Sequence, residues 1–477
     1  MSALETGRSL FLLQLVSRLI TFVLNSSLLR LSTPEVLGTA SIQFDLVSAT
    51  ILFLSREGIR NALLRRHGAN TPLANVPLYL GMVVATAAVT LYVWTSPDST
   101  TSQTDFYPAL ALYVVAAWVE LSIEPFYIRC LTSSPTRVGV RVQAEGLMAI
   151  VKAVVTFTLL YTFPRHALLG FGIGQCCANG ALAGRYLWEY GFEGYLWAKG
   201  YVGSEARPNC RELHGPLVKL AVVNTRQSFI KHVLTEADRI AVGRICPLAD
   251  QGGYAIAMNY GSLVARIIFQ PIEETLLLFL TATPSAANGP LLAALTHLSS
   301  HLLLLLPAFL PPLLPPVLSV LLPRRYWATS APHTLQTYLC FYIPLLSLNG
   351  ILEAYHAATA TPGDMSKQAR WMMASSAVFV AVLWAIKGHV RNETALIGAS
   401  CAGMLVRIGY ASRHARRRVA LAPQTFFPKG AVTVTAVVSG VVLRRVYNSG
   451  RWTDGWAHWA ELLALGGVLG VVTLGVM

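Results

Sequence analysis

The chain has 477 residues, of which 54% are hydrophobic and only 13% charged, with a mean hydropathy of +0.52 and a formal charge of +14. A soluble protein is about one-quarter charged, so a water-soluble globular domain is excluded. The basic excess reads as membrane topology and attraction to anionic lipid heads, not as nucleic-acid binding, because no aromatic-basic RNA-binding pattern accompanies it.

Apolar segments of about twenty residues recur along the whole length, and each is long enough to cross a core of about 30 Å. The ten-residue alternation of a membrane β-barrel is absent. The expected fold is therefore all-α and polytopic, with about fourteen spans. The first six cover 9–31, 36–58, 75–95, 107–129, 138–162 and 167–188. Span 1 carries Gln14, Arg18, Thr21 and Asn25 at spacings that share one face. Arg18, Asn25 and the lack of a small-residue cleavage site make it a retained span, not a signal peptide. Span 2 contains Asp45 and ends in the cluster Arg56, Glu57, Arg60, Arg65, Arg66. In span 4, Glu120 and Glu124 are like charges at i,i+4, so at least one needs a basic partner on a neighbouring helix. Span 5 places Arg141, Glu145 and Lys152 on one face, and Arg141 and Glu145 are spaced for an intrahelical pair.

A glycine-rich, mixed-charge connection comes next, and six further spans cover 214–234, 253–281, 291–322, 333–359, 366–386 and 394–411. Span 7 carries Arg226, Lys231 and His232, with Glu236, Asp238 and Arg239 at its far end. Span 8 aligns Asn259, Arg266, Gln270 and Glu273 on one α-helical face, with Glu274 beside it. Span 9 contains Pro307, Pro311, Pro312, Pro315, Pro316 and Pro323. Each proline removes a donor and clashes with the preceding turn, so this helix is expected to break or kink, its freed carbonyls covered by neighbours. Spans at 427–447 and 457–476 complete the chain. The seven cysteines show no ligand spacing, and neither a disulfide nor a metal site is assigned.

With the N-terminus cytosolic, the larger share of Lys and Arg falls in cytosolic loops, led by Arg413, Arg416, Arg417 and Arg418. The C-terminus is then cytosolic too. Segments 36–60 and 251–275 both begin near glycine, run through an apolar helix and end in a charged knot, a pattern of duplicated transporter halves. This gives an N-lobe over 1–190, a cytosolic linker over 191–213, a C-lobe over 214–425 and two appended spans over 426–477. Asn392-Glu393-Thr394 is an acceptor sequon on the expected lumenal side. Asn25-Ser26-Ser27 also matches but lies in a span.

A charge at the bilayer centre costs about 3 kcal/mol on insertion scales. The charged stripes therefore either lock helices together in pairs or line a central hydrophilic cavity with basic walls. No Gly-Lys-[Ser/Thr] occurs, so there is no P-loop and no ATP-driven pump. A membrane glycosyltransferase needs paired lumenal acids. Glu236-Ala-Asp238 has that form, but no large lumenal loop accompanies it and Arg239 adjoins it. The chain is read as a non-enzyme without cofactors.

The segments RLITFVLN (Arg18–Asn25), FLSREGIR (Phe53–Arg60), ELSIEPFY (Glu120–Tyr127), AEGLMAIVKAVVT (Ala144–Thr156), LTEADR (Leu234–Arg239), DQGGYAIAMNYGSLVARIIFQPIEE (Asp250–Glu274) and SLNGILEAY (Ser347–Tyr355) carry a resemblance. The chain resembles the Rft family of the eukaryotic endoplasmic reticulum, a branch of the multidrug, oligosaccharidyl-lipid and polysaccharide exporter superfamily. The resemblance implies fourteen helices in two six-helix lobes forming a V-shaped cleft. It also implies a role in moving a dolichyl-diphosphate heptasaccharide, Man5GlcNAc2, to the lumenal leaflet for N-glycosylation. Under it the partners are that glycolipid, membrane lipids and other proteins of the pathway. A non-transporting accessory role in the same pathway is the alternative.

On this reading Arg18, Arg56, Arg60, Lys152, Arg226 and Arg266 are candidates for the diphosphate, because the guanidinium fork suits paired phosphate oxygens. Asp45, Glu145, Gln270 and Glu273 are candidates for sugar hydroxyls or gating pairs. The basic end of span 2 (Arg56, Arg60) and the acidic end of span 8 (Glu273, Glu274) form the candidate gate.

Overall fold

The structure is a computed structural model that describes residues 26–65, 72–132, 138–191, 210–282, 289–419, 422–449 and 456–477. Among them the regular structure is helical, apart from one isolated bridge between Lys387 and Val390. The chain divides into two compact units, one ending at Arg244 and the other continuing from Ile245.

The first unit contains α1 (34–65), α2 (Val76–Thr95), α3 (Phe106–Ser122), α4 (Glu124–Thr132), α5 (Val138–Thr162), α6 (Ala167–Tyr190), α7 (Cys210–Thr235) and most of α8 (Ala237–Ile245). Helix α1 starts where Thr33 caps the amide of Val36 and Pro34 occupies the first helical turn. Helices α3 and α4 form one span broken at Ile123, because Pro125 cannot continue the hydrogen-bond ladder. Helix α7 packs along α1. A Cβ on Gly58 would stand 2.5 Å from the backbone nitrogen of Thr225, so only glycine permits this approach. Ile59, Ala62, Leu63, Ile128, Leu217 and Ala221 close the core around that crossing.

The second unit contains α9 (248–282), α10 (Gly289–Leu321), α11 (331–359), α12 (Pro362–Ile386), α13 (Asn392–Val419), α14 (Gly430–Asn448) and α15 (Trp456–Val476). Helix α12 opens with a reciprocal cap between Thr361 and Asp364 around Pro362. Leu276, Leu280, Leu348, Ile351, Leu352 and Met404 centre its core. In both units large apolar side chains such as Val83, Val142, Val380 and Val471 stay exposed, the surface expected of helices that face lipid tails.

Eleven helices among the described residues are long and apolar enough to cross a membrane. They coincide with eleven of the expected spans. The seventh and eighth expected spans are present as the helices α7 and α9, which are not among those eleven. Most of the first, up to residue 25, lies outside the described residues, so the count of fourteen is not reached.

Two expectations are corrected. Of the break or kink expected in α10, the break does not occur: it runs as one α-helix of 33 residues through five prolines. A neighbouring helix approaches two of the carbonyls that these prolines free. Pro311 frees the carbonyl of Pro307, and Arg444 of α14 donates to it at 3.5 Å. Pro312 frees the carbonyl of Ala308, against which Gly440 of α14 packs closely enough that a Cβ would stand 2.9 Å from the oxygen. The second correction concerns the single face of Asn259, Arg266, Gln270 and Glu273. A π turn over Ala265–Phe269 interrupts α9. Its wider turn rotates the remainder of the helix by roughly one residue, about 100°, so Gln270 and Glu273 leave the face that carries Asn259.

Candidate functional site

The first unit holds a ladder of ion pairs along α1. At the start of its regular α-helical part, Asp45 lies 3.8 Å from Lys152 of α5, each about one-third exposed. Three turns on, Arg56 Nη1 donates to Glu120 Oε1 at 2.6 Å, and the buried Asn179 of α6 donates to the other oxygen at 3.2 Å. One turn further, Arg60 grips Glu124 through two parallel hydrogen bonds of 2.5 Å, from Nε and Nη2. Glu124 is 1% exposed and Arg60 15%. Glu124 is also the first residue of α4, where the helix N-terminus favours a carboxylate. The Arg60 guanidinium stands 3.9 Å from the ring centre of Tyr127. Arg141 of α5 stands over the same ring at 5.2 Å and donates from Nε to Glu145 at 2.8 Å.

Thus Glu120 and Glu124 do have basic partners on a neighbouring helix, as their like-charged spacing required. Arg141 and Glu145 do form the intrahelical pair. Where α7 meets α1, Lys231 lies 3.9 Å from Glu57, and the ring of His232 contacts the Thr50 hydroxyl at 2.9 Å and stacks on Phe53. Arg226 is exposed on α7.

The second unit uses the same kind of place differently. Glu273 of α9 packs against Gly350 of α11, where any Cβ would collide with its carboxylate. Within electrostatic reach stands Glu353, gripped by Arg407 of α13 at 2.7 and 2.8 Å. Gln270 donates to Glu274 at 2.7 Å, and both are exposed. At the far end of α11, the rings of His356 and His414 pack against each other at a tilt, and His356 also contacts the ring of Tyr410. Asn392 begins α13 and donates its side-chain amide to the carbonyl of Ile245 at 3.0 Å. The Thr394 hydroxyl of the same sequon is buried, so the folded state presents neither group of the sequon freely.

The structure therefore brings together Asp45 with Lys152, and it gives Arg56, Arg60, Glu145 and Glu274 partners inside their own units. Arg18 and the side chain of Arg266 lie outside the described residues. Sequence reasoning misses the Arg407–Glu353 pair. A lone arginine in the apolar run AGMLVRIGYAS is the available signal. It also gives Arg141 only as half of an intrahelical pair.

The model of the Rft protein family matches residues 2–476. The chain belongs to the Rft family. Its relatives include the Man(5)GlcNAc(2)-PP-dolichol translocation protein RFT1 of Eremothecium gossypii, 29% identical over 84% of this chain and 80% of that protein. The protein of the same name from Yarrowia lipolytica is 32% identical over 83% of this chain and 67% of its own length. In fold, this Rft chain is similar to the lipid II flippase MurJ in an inward closed conformation, with a TM-score of 0.66 and 11% identity over 98% of each chain. The Rft chain is thus a multi-pass helical membrane protein with an exporter-type fold.

Proposed function

We propose that this Rft chain moves dolichyl-diphosphate-linked Man5GlcNAc2 from the cytosolic to the lumenal leaflet of the endoplasmic reticulum for protein N-glycosylation. The relatives named for translocating that glycolipid support the substrate. The observation that carries the mechanism is the ladder on α1 and α5. Charged side chains from Asp45 to Arg60 lie along a helix long and apolar enough to cross a membrane, and Asp45, Lys152, Arg141 and Glu145 are one-third to one-half exposed. Lipid tails do not tolerate such a surface, but a wet path does. A diphosphate oligosaccharide head needs such a path, because its charge and hydroxyls lose water in hydrocarbon. The polyprenyl tail stays in the bilayer. Moving the lipid breaks no covalent bond, and the chain acts as a transporter rather than an enzyme.

In this reading both termini are cytosolic, the lobes are 1–190 and 214–425, and the linker over 191–213 lies in the cytosol. The diphosphate candidates are Arg18, Arg56, Lys152, Arg226 and Arg266. Asp45, Glu145, Gln270 and Glu273 serve the sugar or the gating pairs. Arg60 is clamped by two bonds to a buried acid, so its role shifts from head-group ligand to scaffold. Arg56 is held by one bond and is the freer side of a gate toward Glu273 or Glu274.

Purified protein in vesicles with labelled Man5GlcNAc2-diphosphate lipid tests this. Protein-dependent transfer between leaflets is the expected result. Binding of the glycolipid without transfer supports the accessory role in the pathway instead.

A further inference from the structure

The geometry points to helix α5 as a two-station track for the diphosphate, with Arg141 as the receiving cation and Lys152 as the second. This rests on the transport reading above.

Three observations carry it. First, the two cations share a face. They are eleven residues apart, three turns of helix, which places them about 16 Å apart along the axis, roughly half of a 30 Å hydrocarbon core. Second, both are accessible. Arg141 is 37% exposed and Lys152 36%, whereas Arg60 is 15%. Third, both are loosely held. Arg141 gives only its Nε to Glu145, and its two terminal amino groups make no hydrogen bond to a described residue. Lys152 sits 3.8 Å from Asp45 without a hydrogen bond. A cation whose fork is filled by a buried acid, like Arg60, cannot accept a phosphate without stranding that acid. Arg141 can, because the half-exposed Glu145 returns to water when a phosphate replaces it.

Tyr127 explains how the first station is aimed. Its ring lies under both Arg60 and Arg141, and Arg60 is fixed by Glu124. The guanidinium of Arg141 is therefore held within cation–π distance of a ring that Arg60 also contacts, and its two terminal amino groups are left for paired phosphate oxygens. Lys152 is a compact point charge on a flexible stem. It suits a station that must release. The pattern implies a direction: capture by a fork near the cytosolic end of α5, then transfer to a weaker site deeper in the membrane.

The test uses full-length protein in vesicles with a fluorescent short-chain dolichyl diphosphate oligosaccharide, and measures both capture at equilibrium and transfer between leaflets. Arg141→Gln is expected to weaken capture by about tenfold or more, the loss typical of a charge-assisted contact. Lys152→Gln is expected to slow transfer more than it weakens capture, the reverse of Arg141→Gln. Glu145→Gln removes the same intrahelical ion pair as Arg141→Gln but frees the fork and keeps a side chain that can hydrogen-bond sugar hydroxyls, so capture should fall far less than in Arg141→Gln. A merely structural pair predicts equal loss from both changes. Equal loss, or wild-type capture and transfer in Arg141→Gln and Lys152→Gln, overturns the track. Wild-type protein that fails to transfer the lipid overturns the transport reading itself, and the track with it. A monophosphate analogue bound as tightly as the diphosphate by wild type also overturns the paired-oxygen role of Arg141.

Discussion

The two units place charge at matching points and handle it in opposite ways. In the first, α1 brings arginines to glutamates on α3 and α4, and the decisive pair is almost completely buried. In the second, α9 brings a glutamate to α11, where another glutamate already stands, and the nearby arginine comes from α13. That pair is about one-third exposed, at 28% for Glu353 and 33% for Arg407. Each unit thus has a polar crossing, α1 with α3 and α4 in the first and α9 with α11 in the second, and the two differ in charge and in exposure. One crossing is a fixed joint. The other adds a second acid, Glu273, which makes no ion pair with a described residue.

This contrast sets the size of several effects. Glu124→Ala strands the buried Arg60 guanidinium and should cost about 3–5 kcal/mol, seen as a large drop in the melting temperature of detergent-solubilised protein. A loss under about 1 kcal/mol would mean that water already reaches Arg60. Gly58→Ala is next. It forces a methyl against the backbone of α7, which cannot swing away as a side chain can, and should cost about 1–3 kcal/mol. Gly350→Ala meets only the flexible end of Glu273. It should be cheaper, about 1 kcal/mol or less, while altering where that carboxylate points; a changed rate of carbodiimide labelling at Glu273 reports the displacement. Glu353→Ala should cost the least, about 0.2–1 kcal/mol, because its partner is hydrated. A cost as large as that of Glu124→Ala would show that the Arg407 face meets lipid, and the contrast between the units would collapse.

Most of the helical layout is legible in the sequence, because a bilayer demands uninterrupted apolar lengths and the chain supplies them. The like-charged spacing of Glu120 and Glu124 announces basic partners, and they are there. The rest depends on geometry that spacing cannot encode. The π turn at Ala265–Phe269 rotates a face that a uniform helical period keeps in line. Arg60 looks like a ligand because nothing in its own segment reveals that Glu124, 64 residues away, fills its fork. Arg407 and Glu353 are 54 residues apart on helices that each look merely apolar with one flaw. Helix α10 continues through its prolines, and the groups that approach two of its freed carbonyls come from α14, a segment whose sequence says little on its own.

That last arrangement bears on how the protein is made. Residues 307 and 308 enter the membrane with carbonyls that their own helix cannot satisfy. The group that completes Pro307 lies 137 residues later, at Arg444. Until α14 is synthesised, α10 is an unfinished strut, and a ribosome that stops short of Gly430 leaves it so. Chains truncated before α14 are therefore expected to be inserted, recognised as incomplete and degraded, which a pulse-chase of such truncations in cells checks.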